Sequence, residues 1–400
     1  MRRLLIAAVD ALGILPATAS AGLELGLQDD AYLSSADPRA WQLTRELRPD
    51  VIRYNVDWSS VAHARPRQPA SPGDPAYDWV ATDGIVQGAA RQGARVLLTL
   101  VQAPAWANGG GAPRAAPLDA RDYGTFCRAV ATRYSGSFTP AGAQAPLPRV
   151  TSYTVWNEPN RGQFLEPQGK HGFEAPKVLA RLMGACTSEI QAVMPGAEVA
   201  LGPLASRGGQ GGIAPIPFLA RYRAAGGPRP DVVALNPYLG SLLPEYRQDE
   251  KEAHGAITVR NLDRLENWLQ DAYGDRVPIW LTEFAWRTAP QPGLGVITPQ
   301  RQADLAEQSV DLVRSHYPYA QMLVWFLLRD VSPTSYWRSG LVDSDNHKKP
   351  VFAVWARLAR VSDARTLPSR STLALWIAIG GVVVILLWLV FGYKRRRFRA

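Results

Sequence analysis

Two glutamates in this 400-residue chain stand where a carboxyl group can do chemistry. Glu158 lies in Trp156-Asn157-Glu158-Pro159-Asn160, directly after the run Val150 to Val155, and Glu283 follows the run Val277 to Leu281 and precedes Phe284, Ala285 and Trp286. Each run reads as a short buried strand, so each carboxyl is presented at a strand's carboxyl end, the first with an amide beside it. Strand ends of that polarity are where parallel barrels keep their chemistry. Two carboxyls set there can divide proton donation and nucleophilic attack between them. Cleavage of a glycosidic bond demands that division, because positive charge grows on the sugar ring while negative charge grows on the leaving oxygen. The two groups must then differ in protonation. A closed pocket supplies the means, since desolvation raises a carboxyl pKa whereas a cation and hydrogen-bond donors lower it.

The elements that must position these residues alternate along the chain from 22 to 362. Strand-like runs are Leu23 to Leu27, Val51 to Val56, Arg95 to Val101, Val150 to Val155, Glu198 to Leu201, Asp231 to Leu235, Val277 to Leu281 and Met322 to Leu328. Between or after them, apolar spacing near 3.6 predicts helices over Trp79 to Gln92, Arg121 to Tyr134, Pro176 to Val193, Pro217 to Ala225, Val259 to Ala272, Gln300 to His316 and Val351 to Leu358. Such alternation implies a parallel sheet of the α/β class, and eight units imply closure into a (β/α)8, or TIM, barrel. The stretches Arg65 to Pro75 and Gly109 to Pro117, rich in Pro, Gly and Ala, read as loops over the barrel mouth.

With Asn157-Glu158 ending strand four and Glu283 ending strand seven, the chain resembles the retaining glycoside hydrolases of clan A, closest in appearance to their family 39 and family 5 branches. The resemblance covers residues 22 to 362. It implies Glu158 as acid/base, Glu283 as nucleophile and Asn157 as a donor to the sugar 2-hydroxyl. Arg53, in Val51-Ile52-Arg53-Tyr54, stands where the family keeps an arginine near the nucleophile. Tyr238, in Asn236-Pro237-Tyr238, matches a tyrosine that hydrogen-bonds that group. Asn236 is a departure, because many relatives carry His there. Trp325 on strand eight matches the family's aromatic platform for a sugar ring, and Trp106 and Trp286 are further candidates at the mouth. The segment from Trp337 through Gly340-Leu341-Val342-Asp343 to Lys348-Lys349-Pro350 looks like the family's closing loop. The resemblance implies hydrolysis of O-glycosidic bonds in a poly- or oligosaccharide by double displacement. A transglycosylase would use the same glutamates, and a silent sugar-binding barrel is the reading from another class, since one fold hosts many functions.

The remaining features bound the setting. The formal charge of +9 is concentrated at the end of the chain in Lys394, Arg395, Arg396, Arg397 and Arg399. A basic balance placed there argues against a nucleic-acid surface. Met1, Arg2 and Arg3 precede an apolar run to Leu15, and Ala17-Thr18-Ala19 or Ala19-Ser20-Ala21 offers a cleavage site, so residues 1 to 21 read as a secretory signal peptide. Leu373 to Phe391 is uncharged and long enough, at ~1.5 Å per residue, to form a transmembrane helix. A linker over 363 to 372 and a basic cytoplasmic tail over 392 to 400 complete the expected layout, an exported body held at the cell surface by a membrane partner. No cofactor or metal is expected: His63, His171, His254, His316 and His347 are dispersed, and the Gly208 to Gly212 cluster lacks the Lys-Ser/Thr of a phosphate loop and reads as a flexible loop. Cys127 and Cys186 lie on the apolar stripes of consecutive helices, which leaves a disulfide and two buried thiols equally open.

Overall fold

The structure, a computed structural model, describes residues 22–209, 211–239, 243–247, 255–290 and 296–366. Eight parallel strands close in chain order: β1 (Glu24–Gln28), β2 (Val51–Asp57), β3 (Arg95–Val101), β4 (Ser152–Val155), β5 (Glu198–Ala205), β6 (Val232–Asn236), β7 (Ile279–Phe284) and β8 (Ala320–Phe326), with β8 pairing back onto β1. The first crossover carries α1 (Asp30–Leu33) and α2 (Arg39–Leu47), and the second carries α3 (Trp58–Val61) and α4 (Val80–Arg91). After them come α5 (Ala120–Arg133), α6 (Glu174–Val193), α7 (Pro215–Ala224), α8 (Leu262–Tyr273), α9 (Pro299–His316) and α10 (Pro350–Thr366). The barrel unit runs from Leu23 to Arg360.

The two-residue period of the strands decides what faces the barrel axis. Val51, Leu97, Ala200, Val232, Ala234, Trp280, Met322 and Val324 form a separate apolar cluster, the filled floor of the barrel. Their neighbours, such as Ile52, Leu98, Val233, Leu281 and Leu323, belong to the larger core shared with the helices. Gly26 completes the floor by taking no space, because a Cβ there would lie 2.6 Å from Val51 and 2.8 Å from Val324 side-chain carbons. Two residues further along the same faces, the character changes. Gln28, Arg53, Thr99, Thr154, Asn236 and Thr282 are all buried and all polar. An apolar floor thus supports a polar layer at the carboxyl ends of the strands.

Outside the barrel, α5 and α6 approach closely because Gly124 faces Ala185, with only 3.1 Å between its Cβ position and that of Ala185. Cys127 and Cys186 then have Cα atoms 5.4 Å apart and form a disulfide. Cross-linking residues 59 apart in sequence restricts the unfolded chain by about 4 kcal/mol in the loop-entropy account.

One part of the expected architecture is corrected. Among the described residues no helix is long and apolar enough to cross a membrane, so what they show is the barrel alone, without the expected C-terminal transmembrane helix. The run 373–391, the tail after it and the leader over 1–21 lie outside the described residues.

Candidate active site

The turn after β4 has a constrained backbone. Trp156 and Glu158 have φ of 68° and 43°, in the left-handed region that bulky residues avoid at a cost of about 1–3 kcal/mol each. Surrounding contacts hold them there. The Trp156 amide donates to Leu100 O at 2.9 Å, its indole donates to Phe164 O at 2.8 Å, and the Glu158 amide donates to Pro203 O at 2.7 Å. Pro203 is available because the β5–β6 register shifts between Leu201 and Leu204. Asn160 pins the far side of the turn, donating to Ala205 O and Ile213 O and accepting from the Ala205 amide.

The glycine cluster is part of the same construction, which corrects its reading as a flexible loop. A Cβ on Gly212 would lie 1.9 Å from Asn160 O, and one on Gly208 would lie 2.6 Å from Ile213 Cα. These glycines let one loop pack directly against the backbone that carries Glu158.

Glu283 reaches the mouth through an irregularity in β7. Trp280 and Thr282 face the axis, so strict alternation would turn Glu283 outward. The β7–β8 register instead shifts between Leu281 and Phe284, and such a bulge re-aims the side chain. Glu283 accepts hydrogen bonds from Arg53 Nη1 and, at 3.1 Å, from the Tyr238 hydroxyl. Arg53 has its other donors committed as well: Nε to Thr99 at 3.0 Å, Nη1 to Gln28 at 2.6 Å, and Nη2 to Asn157 Oδ1 at 2.8 Å. A fully buried guanidinium is tolerable only with a carboxylate partner and satisfied donors, and this one has both. Burial, reinforced by the charge of Glu283, raises the Tyr238 pKa well above its ordinary value, so that hydroxyl keeps its proton and acts as a donor.

Glu158 sits in a different environment. Its Oε1 accepts from Asn236 Nδ2 at 3.0 Å, and Asn236 Oδ1 accepts from the Thr282 hydroxyl at 3.0 Å, which fixes the amide's orientation. Its Oε2 accepts from Arg161 Nη1 at 3.3 Å. Burial first, and the charge of Glu283 second, push its pKa up to about 7, outweighing the lowering by Asn236, Arg161 and Arg53. One carboxyl therefore faces a buried cation while the other holds a proton near neutrality.

Sequence reasoning missed several neighbours. Asp30, two residues past the end of β1, accepts from Asn55 Nδ2 at 2.7 Å, and burial raises its pKa to about 7 against the lowering by Arg53. Its signal was the Gln28-Asp29-Asp30 string at a strand's carboxyl end. A cleft of about 1040 Å³ borders the site on this side, lined by Asp30, Tyr54, Asn55, Asn157 and Phe164 among others.

The tryptophans expected at the mouth are engaged with the protein's own residues. Trp325 is fully buried, donates to Ser339 O at 2.9 Å and packs on Trp355 and Phe284, because Met322 and Val324 take the inward positions of β8 and place 325 outward. Phe326, next in line, faces inward and is partly exposed, with its ring 5.1 Å from that of Trp337, which in turn lies 5.6 Å from Tyr238. Trp286 is buried with its indole on Ser309 of α9. Trp106 spends its indole on Ala62 O and its ring on Trp58. The aromatic wall beside Tyr238 is thus Phe326 and Trp337. His347, expected to stand alone, gathers with Asp343 and Asp345, their ligand atoms all within 4.8 Å of one another; Asp343 there accepts from the 345 and 347 amides and closes a turn.

No protein-family model and no curated protein matches this chain. Solved structures do match it. A family 39 glycoside hydrolase from the gut symbiont Bacteroides cellulosilyticus WH2 is 20% identical over 85% of this chain and 64% of its own, with a TM-score of 0.61. A glucosidase from Croceicoccus marinus is 12% identical over 86% of this chain and 68% of its own, with a TM-score of 0.62. The family 53 catalytic domain of Ignisphaera aggregans is 18% identical over 86% of this chain and 98% of its own, with a TM-score of 0.54. The chain thus spans a little under two thirds of the family 39 enzyme. What these likenesses establish is the architecture: the chain has the eight-stranded parallel barrel fold found in these glycoside hydrolases.

Proposed function

We propose that this protein is a retaining glycosidase that cleaves equatorial O-glycosidic bonds of an oligo- or polysaccharide, with Glu283 as nucleophile and Glu158 as acid/base. The observation that carries the reading is the contrast between two carboxyls in one buried network, Glu283 against the Arg53 guanidinium and Glu158 protonated up to about pH 7. In the first step Glu283 attacks the anomeric carbon, and the proton of Glu158 passes to the leaving oxygen as the C–O bond breaks. In the second, Glu158, now a carboxylate, takes a proton from water whose oxygen displaces Glu283, restoring both groups. Asn157, held through its Oδ1 by Arg53, keeps its amide nitrogen for the sugar 2-hydroxyl. Phe326 and Trp337 supply apolar faces for a ring. A cleft at the upper end of the ~300–1,000 Å³ typical of small-molecule sites supports a substrate longer than one sugar. The Cys127–Cys186 disulfide supports an exported protein, because such bonds persist in oxidising compartments.

The pH dependence tests the assignment. Glu158 must be protonated for the first step, so kcat/KM on a glycoside with a poor leaving group should fall as pH rises through about 7. Asp30 titrates in the same range, and a second variant separates the two. In Glu158→Ala assayed on a 2,4-dinitrophenyl glycoside, which needs no acid, that limb should vanish. A limb unchanged in the variant would assign it to Asp30 and count against Glu158.

A further inference from the structure

Arg161 is a partly exposed cation beside a group that must act as an acid, an arrangement the double displacement does not require. Its side chain is 35% exposed, against 7% for Glu158. Its position is built rather than incidental. Arg161 forms a backbone bridge to Gly209, whose missing Cβ would lie 3.2 Å from Arg161 Nε, and the guanidinium lies 5.9 Å from the centre of the Phe164 ring. That Nε is buried without a hydrogen-bond partner.

The bond to Glu158 conflicts with catalysis in a specific way. Oε1 of Glu158 is committed to Asn236, so Oε2 is the atom that hands a proton to the leaving oxygen. Oε2 is also the atom Arg161 occupies. Once Oε2 carries its proton and turns to the substrate, the guanidinium loses the only carboxylate that it pairs with among the described residues. Among the described residues the other charged or ionisable groups facing Glu158 are Arg53, Glu283 and Tyr238, and these are engaged with one another. Among the described residues no second carboxylate pairs with Arg161, so an acceptor carried by the departing half of the substrate would take the place of Oε2.

Building on the glycosidase reading above, we infer that Arg161 is a specificity-determining residue of the leaving-group side, binding a carboxylate carried by the sugar that departs. A planar guanidinium that already meets one carboxylate fits another, and it offers two N–H groups in parallel when it does so. Binding such a substrate draws Arg161 away from Glu158 and thereby removes a cation that favours the deprotonated acid. The substrate's own charge would arm the acid at the moment it is needed.

Two aryl glycosides of whichever glycone is turned over fastest make the test, one with a 3-carboxyphenyl and one with a 3-carbamoylphenyl leaving group. The carbamoyl compound is intrinsically the easier to cleave, so a preference for the carboxylate has to come from the protein. The wild type should favour the carboxylate by about tenfold or more in kcat/KM, as a charge-assisted pair affords. Arg161→Gln should bring the ratio to one or below, the intrinsic order, and Arg161→Lys should keep part of the preference. An equal ratio in wild type and Arg161→Gln overturns the inference. Should no glycoside be cleaved at all, the glycosidase reading fails, yet Arg161 is still tested by binding: glucuronate, unlike glucose, should raise the Glu158 titration followed by carbon NMR in the wild type and leave it unmoved in Arg161→Gln. Identical responses to the two sugars refute the inference independently of turnover.

Discussion

Glu283→Ala should lower turnover of aryl glycosides by a factor on the order of 10⁴ to 10⁶, the scale of losing a nucleophile from a concerted site. The structure adds a second consequence. Arg53 is fully buried and would keep its charge without its carboxylate, so the variant should also lose about 3–5 kcal/mol of stability. Azide or formate, small enough for the vacated space, should bind against Arg53 and Tyr238 and restore part of both. The thermal midpoint should rise with formate, and azide should yield a glycosyl azide of inverted configuration, because the anion attacks the sugar once. Glu283→Gln keeps the volume and separates the two effects: it should be as inactive and less destabilised. Full turnover in either variant would rule out Glu283 as nucleophile.

Glu158→Ala should behave differently, because its cost depends on the leaving group. General acid catalysis contributes about 10²- to 10⁴-fold, so glycosides of poor leaving groups should slow by that amount while the first step on a dinitrophenyl glycoside barely changes. The second step then stalls for want of a base, and the glycosyl-enzyme accumulates as a burst. Azide needs no deprotonation and should release it as a glycosyl azide of retained configuration. A loss equal across leaving groups would mean that Glu158 holds the site together without transferring a proton.

The barrel was legible because each strand is a compact apolar run and each crossover helix has its 3.6 spacing. The first crossover was the exception. Ala40, Leu43, Thr44 and Leu47 do form the buried stripe of α2, but the helix starts after Pro38 without a side-chain cap, and one of its four buried positions is polar. Strand parity accounts for where Arg53 and Trp325 stand. Val51 and Arg53 share one face of β2, and Met322, Val324 and Phe326 share one face of β8, so parity alone would have chosen Phe326 for the mouth. Glu283 is the opposite case. Parity would have turned it outward, and only the shift in register between β7 and β8, which depends on both strands, brings it in. The packing role of Gly208 and Gly212 was hidden for the same reason, since it depends on Asn160 and Ile213 across the loop.

The central claim, that two glutamates act in turn on one anomeric carbon, is tested most directly by the configuration of the first product. Wild-type hydrolysis of an equatorial aryl glycoside, followed by proton NMR from the first minutes, should release the equatorial hemiacetal before mutarotation brings in the axial one. Axial product appearing first would mean a single displacement by water and would contradict the roles given to Glu283 and Glu158.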